Sequence, residues 1–151
     1  MNSRFSGAVL SISAAAVTSL LGAGVAHADI RWGAIAEGTY GFNTVTNYPS
    51  RQEAIDAAVA NCNNAYPARW VDTGSGGGHT AGGDCKARLV FPSGTCAAIA
   101  QGYGMDSKGN LDSSPSRYSV GSGASIAEAD FDAMAKNTGY KVSVIKSVCQ
   151  S

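Results

Sequence analysis

The sequence predicts an α+β fold: a mostly antiparallel sheet with two helices, arranged as duplicated strand-strand-helix-strand units and stabilised by disulfides. Three observations point there. The first is a repeat, because Ser50, Glu53, Ala54, Ala58 and Ala60 in SRQEAIDAAVANC recur in register as Ser125, Glu128, Ala129, Ala133 and Ala135 in SIAEADFDAMAKN. Its flanks repeat too: WGAIAEG (32–38) is echoed by CAAIAQG (96–102), and CKARLVF (85–91) by YKVSVIK (140–146). The second is the β-branched and aromatic character of the segments around each alanine-rich stretch. The third is an even set of four cysteines in a chain that opens with an export signal.

That signal comes first in the chain. Arg4 precedes an uncharged apolar run from Gly7 to Leu21, and Val25, Ala26, His27 and Ala28 then form a small-x-small site ahead of Asp29. Residues 1–28 therefore read as a secretory signal peptide, with cleavage expected between Ala28 and Asp29. No cysteine follows the cleavage site directly, so a lipid anchor is not indicated. Residues 29–151 remain as a single secreted domain of two pseudo-repeats, about 31–95 and 96–151. Losing Arg4 leaves ten Lys and Arg against eleven Asp and Glu, a formal charge of about −1. With no basic run, the expectation is no nucleic-acid partner and no attraction to anionic membranes. No later stretch is long and apolar enough for a transmembrane segment. The expected location is the cell envelope or the extracellular space.

In the first unit, Trp32 to Ala36 and Tyr40 to Thr46 read as strands. Ser50 with Glu53 is a capping box that starts a helix, whose apolar face is expected to carry Ile55, Ala58, Val59 and Cys62. Lys86 to Phe91 reads as the closing strand. Between helix and strand lies an insertion, Asn63 to Asp84, which reads as a long loop with the Gly-rich run 74–83. In the second unit only Thr138 and Gly139 fill that gap. There a polar hairpin tip from Met105 to Arg117 leads to a short strand, Tyr118 to Val120. Ser125 with Glu128 caps the second helix, expected to bury Ala127, Phe131 and Met134, and Lys141 to Val148 is the last strand.

The repeat also chooses among the three ways of pairing Cys62, Cys85, Cys96 and Cys149. Cys62 ends the first helix and Cys85 opens the following strand, while Asn137 and Tyr140 occupy the matching places in the second unit. Two cysteines missing together are the pattern of a bonded pair, so Cys62 is expected to bond Cys85, and Cys96 to bond Cys149. The latter bond is expected to tie the first unit to the C-terminus. Each bond is worth roughly 3 to 4 kcal/mol in the chain-entropy model. No zinc-type CxxC spacing exists, so no metal site and no cofactor are expected.

Catalytic signals are sparse. His79 is the one histidine beyond the signal, and it sits in the Gly-rich stretch, where a general base is poorly held. That stretch follows a helix and precedes a strand, the wrong order for a phosphate-cradling loop. Asp106, Asn110 and Asp112 resemble alternate calcium ligands, but Lys108 intervenes and no Glu closes the loop. Glu53 and Glu128 are used in capping, and Asp56, Asp130 and Asp132 are expected to face water. The expectation is thus no catalytic residue. Tyr66, Arg69 and Trp70 form the one aromatic and cationic cluster in the insertion and, with His79, are the candidate binding residues.

The WGAIA and CAAIA strands, the YPSRQEA capping segment and DCKARLVF with Cys96 resemble a family of small secreted actinobacterial proteins, well represented in mycobacteria. It is a domain-of-unknown-function family, numbered forty-one eighty-nine. The resemblance spans nearly all of residues 29–151. Its pattern often carries a further cysteine pair in the second half, where this chain has Asn137 and Tyr140, and the Gly-rich insertion is longer here. The family implies architecture and export and brings no catalytic residues. Together these readings describe a secreted, non-enzymatic binding or effector domain with a protein as its expected partner. The alternative is a small secreted hydrolase that uses carboxylates assembled by the fold.

Overall fold

The computed structural model describes residues 29–151, apart from the side chains of 113–116; the segment 1–28 assigned above to a signal peptide lies outside the described residues. The chain forms β1 (Trp32–Gly38), β2 (Gly41–Tyr48), α1 (Arg51–Ala65), β3 (Arg69–Asp72), β4 (Gly78–Ala81), β5 (Lys86–Pro92), β6 (Thr95–Met105), β7 (Leu111–Gly123), α2 (Ile126–Lys136) and β8 (Tyr140–Gln150). Among the described residues the strands divide into three sheets with orders β2-β1-β5, β3-β4 and β7-β6-β8, and every pairing is antiparallel. In both three-stranded sheets the first strand is central, its hairpin partner lies on one side and the strand after the helix on the other.

Three buried clusters define four layers. Ala34, Ala36 and Val45 pack under Ala54, Ala58 and Cys62 of α1, while Ala98 and Ala100 pack under Ala129 and Ala133 of α2. Between the sheets, Ile35 and Phe91 meet Ala97 and Ile99. The order is therefore helix, sheet, sheet, helix. It follows from the two-residue alternation of a strand. In β1 and β6 the middle of the helix-facing set is alanine, Ala34 and Ala36 in one and Ala98 and Ala100 in the other, which lets the helix approach closely, while the opposite set carries the isoleucines that fill the space between sheets. The buried Gln150 clasps the two halves, since Asn47 N–H donates to its side-chain oxygen at 2.7 Å and Gly94 N–H to its carbonyl at 2.7 Å.

Both helices begin as the capping residues require, with Glu53 N–H donating to Ser50 Oγ and Glu128 N–H to Ser125 Oγ. The buried face of α2 differs from the expectation. Ala129 and Ala133 are buried, whereas Phe131 is 72% exposed and Met134 and Ala127 are also exposed. The reason is steric: a Cβ on Gly121 of β7 would stand 2.1 Å from Ala133 N and 2.5 Å from Ala129 O. At that separation only backbone and methyl groups fit between helix and strand, so the larger apolar residues turn outward.

The insertion is likewise not structureless. Its residues form the hairpin β3–β4, with Arg69 opposite Ala81, Trp70 opposite Thr80, Val71 opposite His79 and Asp72 opposite Gly78. The Gly-rich run supplies the tip: Gly74 and Gly76 take positive φ, Thr73 N–H and Oγ1–H both donate to Gly77 O, and Gly74 N–H donates to Asp72 Oδ1. At the stem, Gly83 N–H donates to Tyr66 O, Cys85 N–H donates to Asn63 Oδ1, and Cys62 is bonded to Cys85. Cys96 and Cys149 form the second disulfide. They are register partners on β6 and β8, so this bond closes the second sheet rather than tying one unit to the other.

Candidate functional site

Sequence reading groups Tyr66, Arg69, Trp70 and His79, and the hairpin separates them by face. Antiparallel pairing puts Arg69, Val71, His79 and Ala81 on one face and Trp70, Thr80, Asp72 and Gly78 on the other. Trp70 therefore points outward. Its indole lies over Gly78, where an added Cβ would stand 2.5 Å from the ring, and the side chain stays 68% exposed.

The inward face bounds a cleft of about 230 Å³ lined by Tyr40, Tyr66, Pro67, Arg69, Val71 and Ala81. Each wall has a local cause. Tyr66 is the C-cap of α1, its N–H donating to Cys62 O at 2.9 Å, which places it one turn beyond the disulfide. Its ring lies on Gly41, where a Cβ would come within 2.2 Å of Tyr66 Cζ. Ala81, buried, lies opposite Arg69 in the ladder. Tyr40 stands exposed at the tight turn between β1 and β2. Sequence reading missed Tyr40 as a site residue. The signal was present, because a two-residue turn between Gly38 and Gly41 has no conformational need for a tyrosine.

His79 falls in a neighbouring cleft of about 190 Å³ with Thr39, Tyr40, Thr80, Ala81, Gly82 and Asp84, so Tyr40 is shared by the two. The Arg69 guanidinium has no hydrogen-bond or ion-pair partner among the described residues. A cation standing unpaired at an otherwise aromatic and aliphatic wall is complementary to an anionic group on an apolar body.

A third concave region, of about 470 Å³, is lined by Glu37, Gly38, Thr39, Asp84, Lys86, Arg88 and Tyr118. Glu37 follows Ile35 on the face of β1 that meets the second sheet, and its side chain is 19% exposed. Burial pushes its carboxyl above the usual glutamate range, and the Arg88 guanidinium, with Nε 3.3 Å from Oε2, pulls the other way. That Oε2 is buried and accepts no hydrogen bond in addition to the ion pair. Asp84 behaves oppositely: Thr39 donates its hydroxyl and its N–H, and these bonds hold the carboxyl below the usual aspartate range. Two carboxylates displaced in opposite directions thus share one cavity, a pair that sequence spacing could not reveal.

The helix aspartates expected to face water are partly engaged. Asp132 accepts from Ser122 N–H at 3.0 Å and from Lys136 Nζ at 2.6 Å, which holds it below its ordinary value, and Asp130 accepts from Ser147 Oγ. Asp106 accepts from Lys108 N–H, Asn110 N–H and Asn110 Nδ2, the bonding of a closed turn. Among the described residues, no group of three or more His, Cys, Asp or Glu is arranged to hold a metal ion. Among the same residues, no helix is long and apolar enough to cross a membrane.

No curated protein and no solved structure matches the chain. A family model does, over residues 32–149, a span that starts at the first residue of β1 and takes in both helices, all three sheets and both disulfides. The chain belongs to the family described as Domain of unknown function (DUF4189).

Proposed function

We propose that this is an exported binding domain, acting in the cell envelope or outside the cell, whose recognition surface is the cleft between the β3–β4 hairpin and the β1–β2 turn. One observation carries the reading: the aromatic walls of Tyr40, from the β1–β2 turn, and Tyr66, from the end of α1, meet the unpaired Arg69 of a hairpin whose stem is pinned by the Cys62–Cys85 bond. Tyrosine and arginine are enriched at binding hot spots, and a stem fixed by a disulfide lowers the entropy lost on binding. Export agrees with the two disulfides, which persist in oxidising compartments. The test is photocrosslinking with benzoylphenylalanine at Tyr40, against a control at Tyr140, which is exposed on the second unit. A discrete adduct formed at Tyr40 and missing at Tyr140 is expected in culture filtrate or host extract. Equal labelling from both positions counts against the cleft.

One observation favours a second reading, a small hydrolase. Glu37 and Asp84 line one cavity and are pushed in opposite directions, the arrangement that lets one carboxyl donate a proton while the other stays ionised. A panel of hydrolase substrates at several pH values should then show turnover that both Glu37→Gln and Asp84→Asn abolish. Turnover that survives both substitutions removes this reading.

A further inference from the structure

We infer that the Tyr40–Tyr66 cleft takes the C-terminal residue of a peptide, with an aromatic or branched side chain in the cleft and the terminal carboxylate on Arg69. The inference rests on the binding reading above and names its ligand class.

Three features lead to it. The first is size. At about 230 Å³ the cleft is smaller than the roughly 300 to 1,000 Å³ of sites that enclose a drug-sized molecule, so it suits one ring or one branched side chain. The second is chemistry: Tyr40, Tyr66, Pro67, Val71 and Ala81 offer ring faces and aliphatic carbon, and Arg69 is the one charged residue in the lining. A neutral apolar guest would leave that guanidinium unused, whereas a carboxylate accepts two parallel N–H bonds from it. The third is the main chain. Arg69 and Val71 belong to β3, an exposed strand that among the described residues pairs with β4 alone, so its outer edge presents N–H and C=O groups with no strand partner there. An extended peptide can add to such an edge while its last side chain enters a pocket beside it, and the negative charge at its end identifies which residue that is.

The experiment is an amide chemical-shift titration of the intact disulfide-bonded domain with three short probes. They are acetyl-Gly-Gly-Phe with a free carboxylate, the same peptide as its C-terminal amide, and acetyl-Gly-Gly-Gly with a free carboxylate. The acid ending in Phe should shift the amides of Tyr40, Tyr66, Val71 and Ala81, and bind about tenfold more tightly than its amide. Arg69→Gln should erase the difference between acid and amide while leaving the weaker binding common to both. Gly41→Ala, whose new methyl displaces the Tyr66 ring, should weaken both. Equal binding of acid and amide overturns the carboxylate assignment, and equal binding of the Gly-terminated peptide overturns the side-chain assignment. If no probe shifts these amides while Tyr40 still crosslinks, the ligand class is wrong and the binding reading stands. If the crosslink fails as well, both fall.

Discussion

Cys62 at the end of α1 and Asn137 at the end of α2 hold corresponding places in two units of identical strand order, and they close their units by different chemistry. Cys62 is bonded to Cys85 across a separation of 23 residues that contains the hairpin β3–β4. Asn137 works through its amide. Nδ2 donates toward Ala100 O, Arg117 O and Ser119 Oγ at 3.2, 2.9 and 3.0 Å, and Oδ1 accepts from Gly139 N–H at 2.8 Å. Loop length explains the difference. A crosslink stabilises in proportion to the chain freedom it removes, so it is effective where a hairpin has been inserted and has little to remove where only residues 138–139 separate helix from strand. The first unit carries the candidate cleft, and the covalent bond fixes the walls of that cleft as well as the core.

Breaking the bond should therefore give the largest effect. Cys62→Ser with Cys85→Ser is expected to lower unfolding free energy by about 3 to 4 kcal/mol in urea denaturation. Amide exchange should speed up first in Arg69–Asp72 and Gly78–Ala81. If exchange rises equally in the second unit, the bond acts on the whole molecule and not on the first unit in particular.

Helix spacing supplies the next contrast. Val45 lies opposite Ala34, and Gly121 lies opposite the corresponding Ala98, so a valine fills in the first unit the space that the α2 backbone occupies in the second. Gly121→Val imports the first unit's residue and sets it against backbone atoms that no side-chain rotation can move. A loss of about 3 kcal/mol is expected. A variant that melts with the parent protein would mean that α2 is free to lift away. Asn137→Ala follows with a loss of about 2 kcal/mol, because it removes several bonds at once, among them those to the part-buried Ala100 carbonyl and Ser119 hydroxyl. A loss well under 1 kcal/mol would show that water replaces the amide.

These contrasts also mark what the sequence could reveal. The capping serines, the central alanine strands and the Cys62–Cys85 pairing were legible because each depends on residues close in sequence or on a position repeated in register. The exposure of Phe131 was not, since hydrophobicity alone favours burying it and the deciding fact is the room left by Gly121 on another element. The hairpin β3–β4 was hidden because four-residue strands carry no clear alternation, and a run of glycines reads the same in a tip as in a loop. Of the candidate site, Tyr66 and Arg69 were legible as chemistry. Trp70 was assigned to the same site because a linear segment does not disclose which side chains share a face, and Tyr40 was missed because it comes from another hairpin.

The smallest effect concerns Glu37, whose place in the second unit is taken by Gln101. Glu37 has its carboxyl raised, chiefly by burial, so the folded protein holds that proton more tightly than the unfolded chain does. Its contribution to stability is thus fully present below the unfolded pKa of about 4.3 and is lost as pH rises through the higher folded value. Asp84 and Asp132 have lowered values, and their contributions run the other way, lost as pH falls through the acid range. Glu37→Gln makes the first unit resemble the second and removes the cost of burying a charge. At neutral pH, where burial outweighs the pull of Arg88, the variant should be more stable by an amount under about 1 kcal/mol. The gain should shrink as pH falls below the unfolded value, because the parent carboxyl takes up its proton there. Melting temperatures of the two proteins measured across this range give the answer: a gap that widens from acid to neutral pH supports the buried-charge account. A variant less stable at neutral pH would mean that the Arg88 ion pair dominates and that the two units differ there by a stabilising charge.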